Sequence, residues 1–262
     1  MDADIENEIN KIRWERWRAK QKAEREKTCF YCWDQWNQWN NWNNWSDVPT
    51  PWEQTSDKPC VNCWERSGEA YGVAHERHYF DDPDTGESLN IYASGVLAYY
   101  AKARGSAWYD FDLTDSPDVR VGDPGDADVK FSDIVGELNS MNVAGVDGMS
   151  IHMYVFVDDL TTDERIGEEI VISEALSDTD SILGIVDYVV EVLLPEWTHK
   201  EYDLHSVTYH VYIPNMKKHK YRVGYWAEVV AIGAGGTACV SDFEGGNRRI
   251  KTSRFRIGQL FE

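Results

Sequence analysis

Nowhere in the 262 residues is there an unbroken apolar run of the roughly 18 to 20 residues that a membrane-spanning helix needs. The longest apolar-leaning stretch, residues 182–194, is interrupted by Gly184, Asp187 and Glu191. The opening residues, Met1-Asp-Ala-Asp-Ile-Glu6, lack the apolar core of a secretory signal. The expectation is a protein with no membrane partner that is not exported by that route, in a virion if the source is viral and otherwise cytoplasmic. Basic side chains are also scarce, with 26 Lys and Arg against 46 Asp and Glu and a net charge of −20. So acidic a surface repels nucleic acid and membranes in general, and it suits a high-salt, halophilic setting as well as ordinary solubility. Nucleophile and phosphate motifs are missing: there is no Gly-x-Ser-x-Gly, no Gly-x-x-x-x-Gly-Lys-Ser/Thr and no His-Glu-x-x-His. No pair among the many carboxylates stands out, so no enzyme is expected.

The charge is unevenly placed. Residues 28–203 carry 35 acidic against 9 basic side chains, whereas residues 204–262 carry 4 against 9. These shifts suggest four parts: an N-terminal helix over 1–27, a cysteine- and tryptophan-rich arm over 28–70, an acidic α+β domain over 71–200, and a basic β-rich subdomain over 201–262. Ile5, Ile9 and Ile12 give residues 2–27 a short apolar stripe at helical spacing. Strands are predicted at 71–80, 88–93, 108–113, 149–157 and 165–176. Helices are predicted at 94–104, 131–141 and 181–194 from apolar residues three and four apart. The last 60 residues read as four strands of a small antiparallel sheet or barrel. The fold class expected is therefore α+β.

Cys29-Phe-Tyr-Cys32 and Cys60-Val-Asn-Cys63 are two CxxC pairs, each followed by Trp. Two residues between cysteines let both thiolates face one tetrahedral ion from a tight turn. A closed structural Zn site of Cys29, Cys32, Cys60 and Cys63 is expected, with disulfides or free thiols as alternatives. Between the pairs, Trp33, Trp36, Trp39, Trp42 and Trp45 recur every third residue among Asn and Gln. Five such rings are too apolar to leave in water. Packing against the body or neighbouring subunits is the expected use, with stacking on sugars or bases as the alternative. Cys239 stands alone and reads as a buried apolar residue.

Other motifs have plainer readings. His75 and His78 fall on a strand-like pattern that separates them. Gly233, Gly235 and Ala238 mimic a dinucleotide-binding fingerprint, but no helix can follow, so a hairpin turn is expected. The acidic groups at Asp81, Asp82, Asp84 and Glu87 and at Asp123, Asp126 and Asp128 do not match a calcium-loop spacing and read as turns. Lys217, Lys218, Lys220, Arg222, Arg248, Arg249, Lys251, Arg254 and Arg256 form a basic face on the C-terminal strands. It can meet nucleic acid or dock on the acidic middle of this chain or a neighbour.

Together these features suggest a structural assembly protein, such as a capsid, neck or tail component of a tailed virus, whose N-terminal arm contacts other copies or other assembly subunits. The alternatives are a zinc-knuckle nucleic-acid-associated factor and a carbohydrate-binding protein that uses the Trp row.

Overall fold

The computed structural model describes residues 52–82, 86–177 and 196–259. These form eight strands: β1 (Trp52–Ser56), β2 (Trp64–Phe80), β3 (Ser88–Asp112), β4 (Gly125–Asp159), β5 (Glu164–Ser177), β6 (Glu196–Ile213), β7 (Lys220–Phe243) and β8 (Arg249–Gln259). No helix occurs among the described residues, so the α+β expectation is wrong and the described part of the chain is all-β. The helices expected at 94–104 and 131–141 lie inside β3 and β4. Those expected at 2–27 and 181–194 lie outside the described residues.

All pairings are antiparallel and build one sheet. The 35-residue β4 organises it. One edge of β4 pairs with β7 and then β8, which continue in the same direction after the turn at 244–248. Its other edge pairs with β5 and then β6. β1 and β3 line up likewise beside β8 and β7, and β2 forms an edge on β3. Strands on either side of residue 200 thus share one sheet.

This sheet folds back on itself. A straight strand of 17 residues would run about 55 Å, yet the rings at the two ends of β2, Trp64 and Phe80, lie 5.2 Å apart. In the same way Phe131 of β4 meets Tyr225 of β7 edge-on at 5.1 Å, although Tyr225 is registered against Val155. The crease crosses β2, β3, β4 and β7 at matching positions, the register shifts at Gly72/Ala74, Val96/Tyr99 and Asn142/Gly145. Gly72 and Gly235 take positive φ there (72° and 85°), which a side chain would resist. The Gly233-Ala-Gly-Gly236 run is therefore no hairpin turn but the bend of β7.

Folding over creates two layers. The first holds 64–72, 99–112, 147–159, 164–177 and 220–233; the second holds β1, β6, β8 and the remaining halves of β2, β3, β4 and β7. Between them lies one core, including Leu89, Ile91, Phe131, Ile134, Leu138, Ile151, Met153, Tyr225, Phe243 and Phe255. At the open end the buried Gln259 accepts from the Trp52 indole (3.0 Å) and the Arg120 amide (2.8 Å) and donates to the Arg120 carbonyl (2.7 Å).

The helical spacing that misled the sequence reading comes from bulges. In β4 the inward positions are 127, 129 and 131, but a register shift at Phe131/Asp133 moves them to 134 and 138. The bulge thus lengthens one step to three, and the buried Gly136, with no side chain to mark its place between Ile134 and Leu138, makes the next apolar step four. In β3, Leu97 has φ 67° in the crease, which leaves Val96 and Leu97 both exposed.

Candidate functional site

Two outer faces remain once the core is assigned. On the second layer, Asp126 and Asp128 of β4 point outward yet are buried, at 2% and 1% exposure. Arg256 of β8 covers them, donating to Asp126 at 2.6 Å and to Asp128, and Arg254 reaches Asp128 at 3.5 Å. His210 of β6 lies 3.0 Å from Asp126. Asp126, Asp128 and His210 have the proximity of a metal triad, but the Arg256 guanidinium already supplies the cation. Neither aspartate lies in the loop expected from sequence.

The same pattern accounts for most of the basic face. Lys220 pairs with Asp112 (2.9 Å), Arg222 with Asp110 (2.8 Å), Arg248 with Glu137 (2.8 Å), Arg249 with Asp133 (3.0 Å) and Lys251 with Glu87 (3.9 Å). Lys217 and Lys218 are exposed before β7. Basic charge laid against acidic strands in this way leaves little positive field for phosphates.

Several of these carboxylates are held in their charged form. Hydrogen bonds from Thr114 and Lys220 bring Asp112 down to about 2. Burial pushes Asp133 and Asp159 up, but donors from His205 and Arg249, and from His219 and the Thr161 and Thr162 amides, outweigh it and leave both low. Tyr202 and Lys200 lower Glu174. An unfolded carboxylate titrates near 4. The stability from these groups is thus present above pH ~4 and is lost as pH falls through the lower folded values. The melting temperature is expected to decline from about pH 4.5 toward pH 2; a flat profile over that window would contradict these pairings.

The outer face of the first layer is different, because it carries aromatic rings. Alternation along each strand puts Glu65, Ser67, Glu69 and Tyr71 of β2 outward. They are registered against Ser106, Arg104, Lys102 and Tyr100 of β3. These continue into Trp226, Glu228, Val230 and Ile232 of β7, and then into Tyr154, His152 and Ser150 of β4. Tyr71 and Tyr100 stack with centroids 6.0 Å apart and planes at 28°. Both donate their hydroxyls to Glu69, at 3.3 and 3.1 Å. Lys102 pairs with Glu228 at 2.8 Å. Tyr71 is 62% exposed and Ile232 48%. Further along, Trp226 is sandwiched between Tyr154 (4.6 Å) and the Arg104 guanidinium (4.5 Å), so neither face of its ring is free. An open cleft of about 450 Å³ runs beside this edge, lined by Trp64, Glu65, Arg66, Ser67, Arg104 and Ser106.

Beyond Trp226 the face ends at Trp108, Phe156 and Cys63, packed with Trp226 and Cys60. Cys60 and Cys63 close a turn in which the Cys63 amide donates to the Cys60 carbonyl (3.0 Å), and Asn62 takes φ 62°. Their sulfurs are joined as a disulfide across a Cα separation of 5.2 Å. Cys29, Cys32 and the row Trp33, Trp36, Trp39, Trp42 and Trp45 lie outside the described residues. Cys239 is buried beside the Tyr99 hydroxyl. His75 and His78 fall on opposite faces, and His78 turns inward to Glu76 (2.8 Å).

Sequence reasoning missed Tyr71, Tyr100, Tyr154 and Trp226. They come from four strands, and the signal they carry is an aromatic residue where alternation calls for a polar one.

No family model and no curated protein matches the chain. Among solved structures it has a faint likeness to the enzymatically active domain of bacteriophage CBA120 tailspike protein 4, at 9% identity over 76% of this chain with a TM-score of 0.21. The chain covers only 20% of that chain. It is similar at the same level to TmCBM61 in complex with β-1,4-galactotriose (8% identity, 76% of this chain and 90% of that chain, TM-score 0.18). A third likeness is the CBM22-1 xylan-binding domain of Paenibacillus barcinonensis Xyn10C (10% identity, 82% and 97% coverage, TM-score 0.18). Scores this low carry no argument about function.

Proposed function

We propose that the chain is a glycan-binding protein whose ligand lies along the outer face of the first layer. The observation that carries this reading is the exposed Tyr71–Tyr100 stack with Glu69, Lys102 and Glu228 around it. A pyranose has an apolar face, which suits an aromatic ring, and a rim of hydroxyls, which suits charged donors and acceptors. Ile232 extends the apolar patch, and neighbouring strands space the side groups about 4.8 Å apart, a scale suited to successive parts of one sugar chain. The Trp row of the arm is not needed for this reading.

Titration of the full chain against a panel of neutral and acidic oligosaccharides, followed by calorimetry, tests the proposal. Tyr71→Ala and Tyr100→Ala are each expected to weaken binding about tenfold, as loss of one stacking contact implies. Loss of binding without change in melting temperature supports the site; unchanged affinity in both variants overturns it. A second reading, subunit assembly, is favoured by the exposed apolar crest of Val73, Val96, Leu97 and Ile232 along the crease. A chain that binds no glycan but self-associates in light scattering would select it.

A further inference from the structure

We propose that the glycan held on the outer face of the first layer carries uronic acid, and that Arg66 and Arg104 take its carboxylate in the cleft beside the edge strand β2; this rests on the glycan-binding function proposed above. The chain has 46 acidic against 26 basic side chains, so a carboxylate is close to almost any arginine, and most arginines use one. Arg77, Arg165, Arg222, Arg248, Arg249 and Arg256 each pair with a carboxylate at 3.2 Å or less. Arg66 and Arg104 are different: among the described residues neither guanidinium has an ion pair or a hydrogen bond. Both are exposed, and both line the same open cleft of about 450 Å³.

What each has instead is an aromatic ring. The Arg104 guanidinium lies over Trp226 at 4.5 Å and the Arg66 guanidinium over Trp64 at 5.1 Å. The rings are themselves held, Trp226 by Tyr154 at 4.6 Å and Trp64 by Phe80 at 5.2 Å. A ring against a guanidinium restrains it and leaves the N–H groups along its edge free to donate. That edge matches a carboxylate, two N–H groups to two oxygens. Because the rings already limit the two side chains, less freedom is lost when an anion arrives.

The cleft continues the aromatic patch. Tyr100, Lys102, Arg104 and Ser106 follow one another on the outer face of β3, which puts Arg104 about 13 Å along the strand from Tyr100. Arg104 is registered against Ser67 of β2. A sugar on the Tyr71–Tyr100 pair and a uronate at Arg104 are therefore different units of one chain. Lys102 between them is already paired with Glu228 at 2.8 Å. Glu65 also lines the cleft and is registered against Ser106, and Glu69 lies at the two tyrosine hydroxyls. These carboxylates repel a ligand that is charged on every unit. The surface thus favours isolated carboxylates between neutral sugars over a sulfated polyanion, with the Ser67 and Ser106 hydroxyls available to the sugar rim.

The test is calorimetry on the full chain with hexasaccharides of hyaluronan, unsulfated chondroitin and glucuronoxylan. Each is used in its native form and with its carboxyls reduced to alcohols, beside hexasaccharides of galacturonate and heparin. At least one native form is expected to bind about tenfold or more tighter than its reduced counterpart, as a charge-assisted contact implies, and tighter than the galacturonate or heparin fragment. In Arg66→Gln/Arg104→Gln the native and reduced forms should bind alike, at an unchanged melting temperature because both side chains are exposed. Native and reduced forms that bind the parent chain equally overturn the inference and leave glycan binding at the tyrosines standing. So does a carboxylate preference that survives in the arginine double variant, or a heparin fragment that binds tightest. A preference that persists in Tyr71→Ala/Tyr100→Ala supports the arginine pair and overturns the tyrosine site. A chain that binds none of these glycans overturns both.

Discussion

Arg256→Ala is expected to cost about 3–5 kcal/mol of folding stability, the range for removing one partner of a buried charge pair. The reason is local: Asp126 and Asp128 are almost wholly shielded from water, and Arg256, itself 12% exposed, is the cation laid directly across both. Arg254 is farther away at 3.5 Å and 37% exposed, so it cannot take over. Chemical denaturation of the variant against the parent reads the cost. If Asp126→Asn and Asp128→Asn are added to Arg256→Ala, much of the loss should return, because the charges that needed the guanidinium are gone. A single-variant cost below ~1 kcal/mol would mean that water reaches these carboxylates and that the outer face of the second layer is looser than described.

Phe131→Ala should be comparably damaging, at about 3–5 kcal/mol for a large ring removed from a packed core. Phe131 is fully buried and touches Tyr225 of the opposite layer at 5.1 Å and Tyr209 of its own layer at 6.2 Å. It therefore reports directly on the folded-over arrangement. Were the sheet open, Phe131 and Tyr225 would belong to distant rows of β4 and β7 and the substitution would cost far less. A matched comparison is Tyr71→Ala, which removes a similar ring from the outer face and should change stability by only ~0.5 kcal/mol. The two denaturation midpoints should differ by several fold more than their uncertainty.

How much of this was legible beforehand differs from element to element. Most strands were, since Tyr221, Val223, Tyr225, Ala227 and Val229 alternate cleanly and are all buried. The crease was not. At 131–134 a bulge changes which parity faces inward, and at 96–98 the crease leaves three successive residues exposed, so that short-range spacing imitates a helix. Only knowledge of the partner strand distinguishes the two. The basic C-terminal residues were visible as a group, and their docking on the acidic middle was one of two readings; Arg249–Asp133 and Arg256–Asp126 connect the two segments. The outer aromatic face was illegible for a different reason. Tyr71, Tyr100, Tyr154 and Trp226 are separated by tens of residues, and only the registers of β2, β3, β7 and β4 bring them together.

The position of β8 has a consequence for biosynthesis. β8 pairs with β1, β3 and β4, so the strand that completes the second layer is made after every strand it must join. The apolar residues Ala127, Val129 and Phe131 leave the ribosome well over a hundred residues before Phe255 and Ile257, which lie beside them. At 5–20 residues per second, that is a wait of roughly 6 to 25 seconds. Throughout it the nascent chain carries unpaired strand edges and uncovered apolar rows, the two features that recruit chaperones and seed aggregates. Yield in a recombinant host should therefore depend on holdase capacity and temperature more than on the stability of the finished protein.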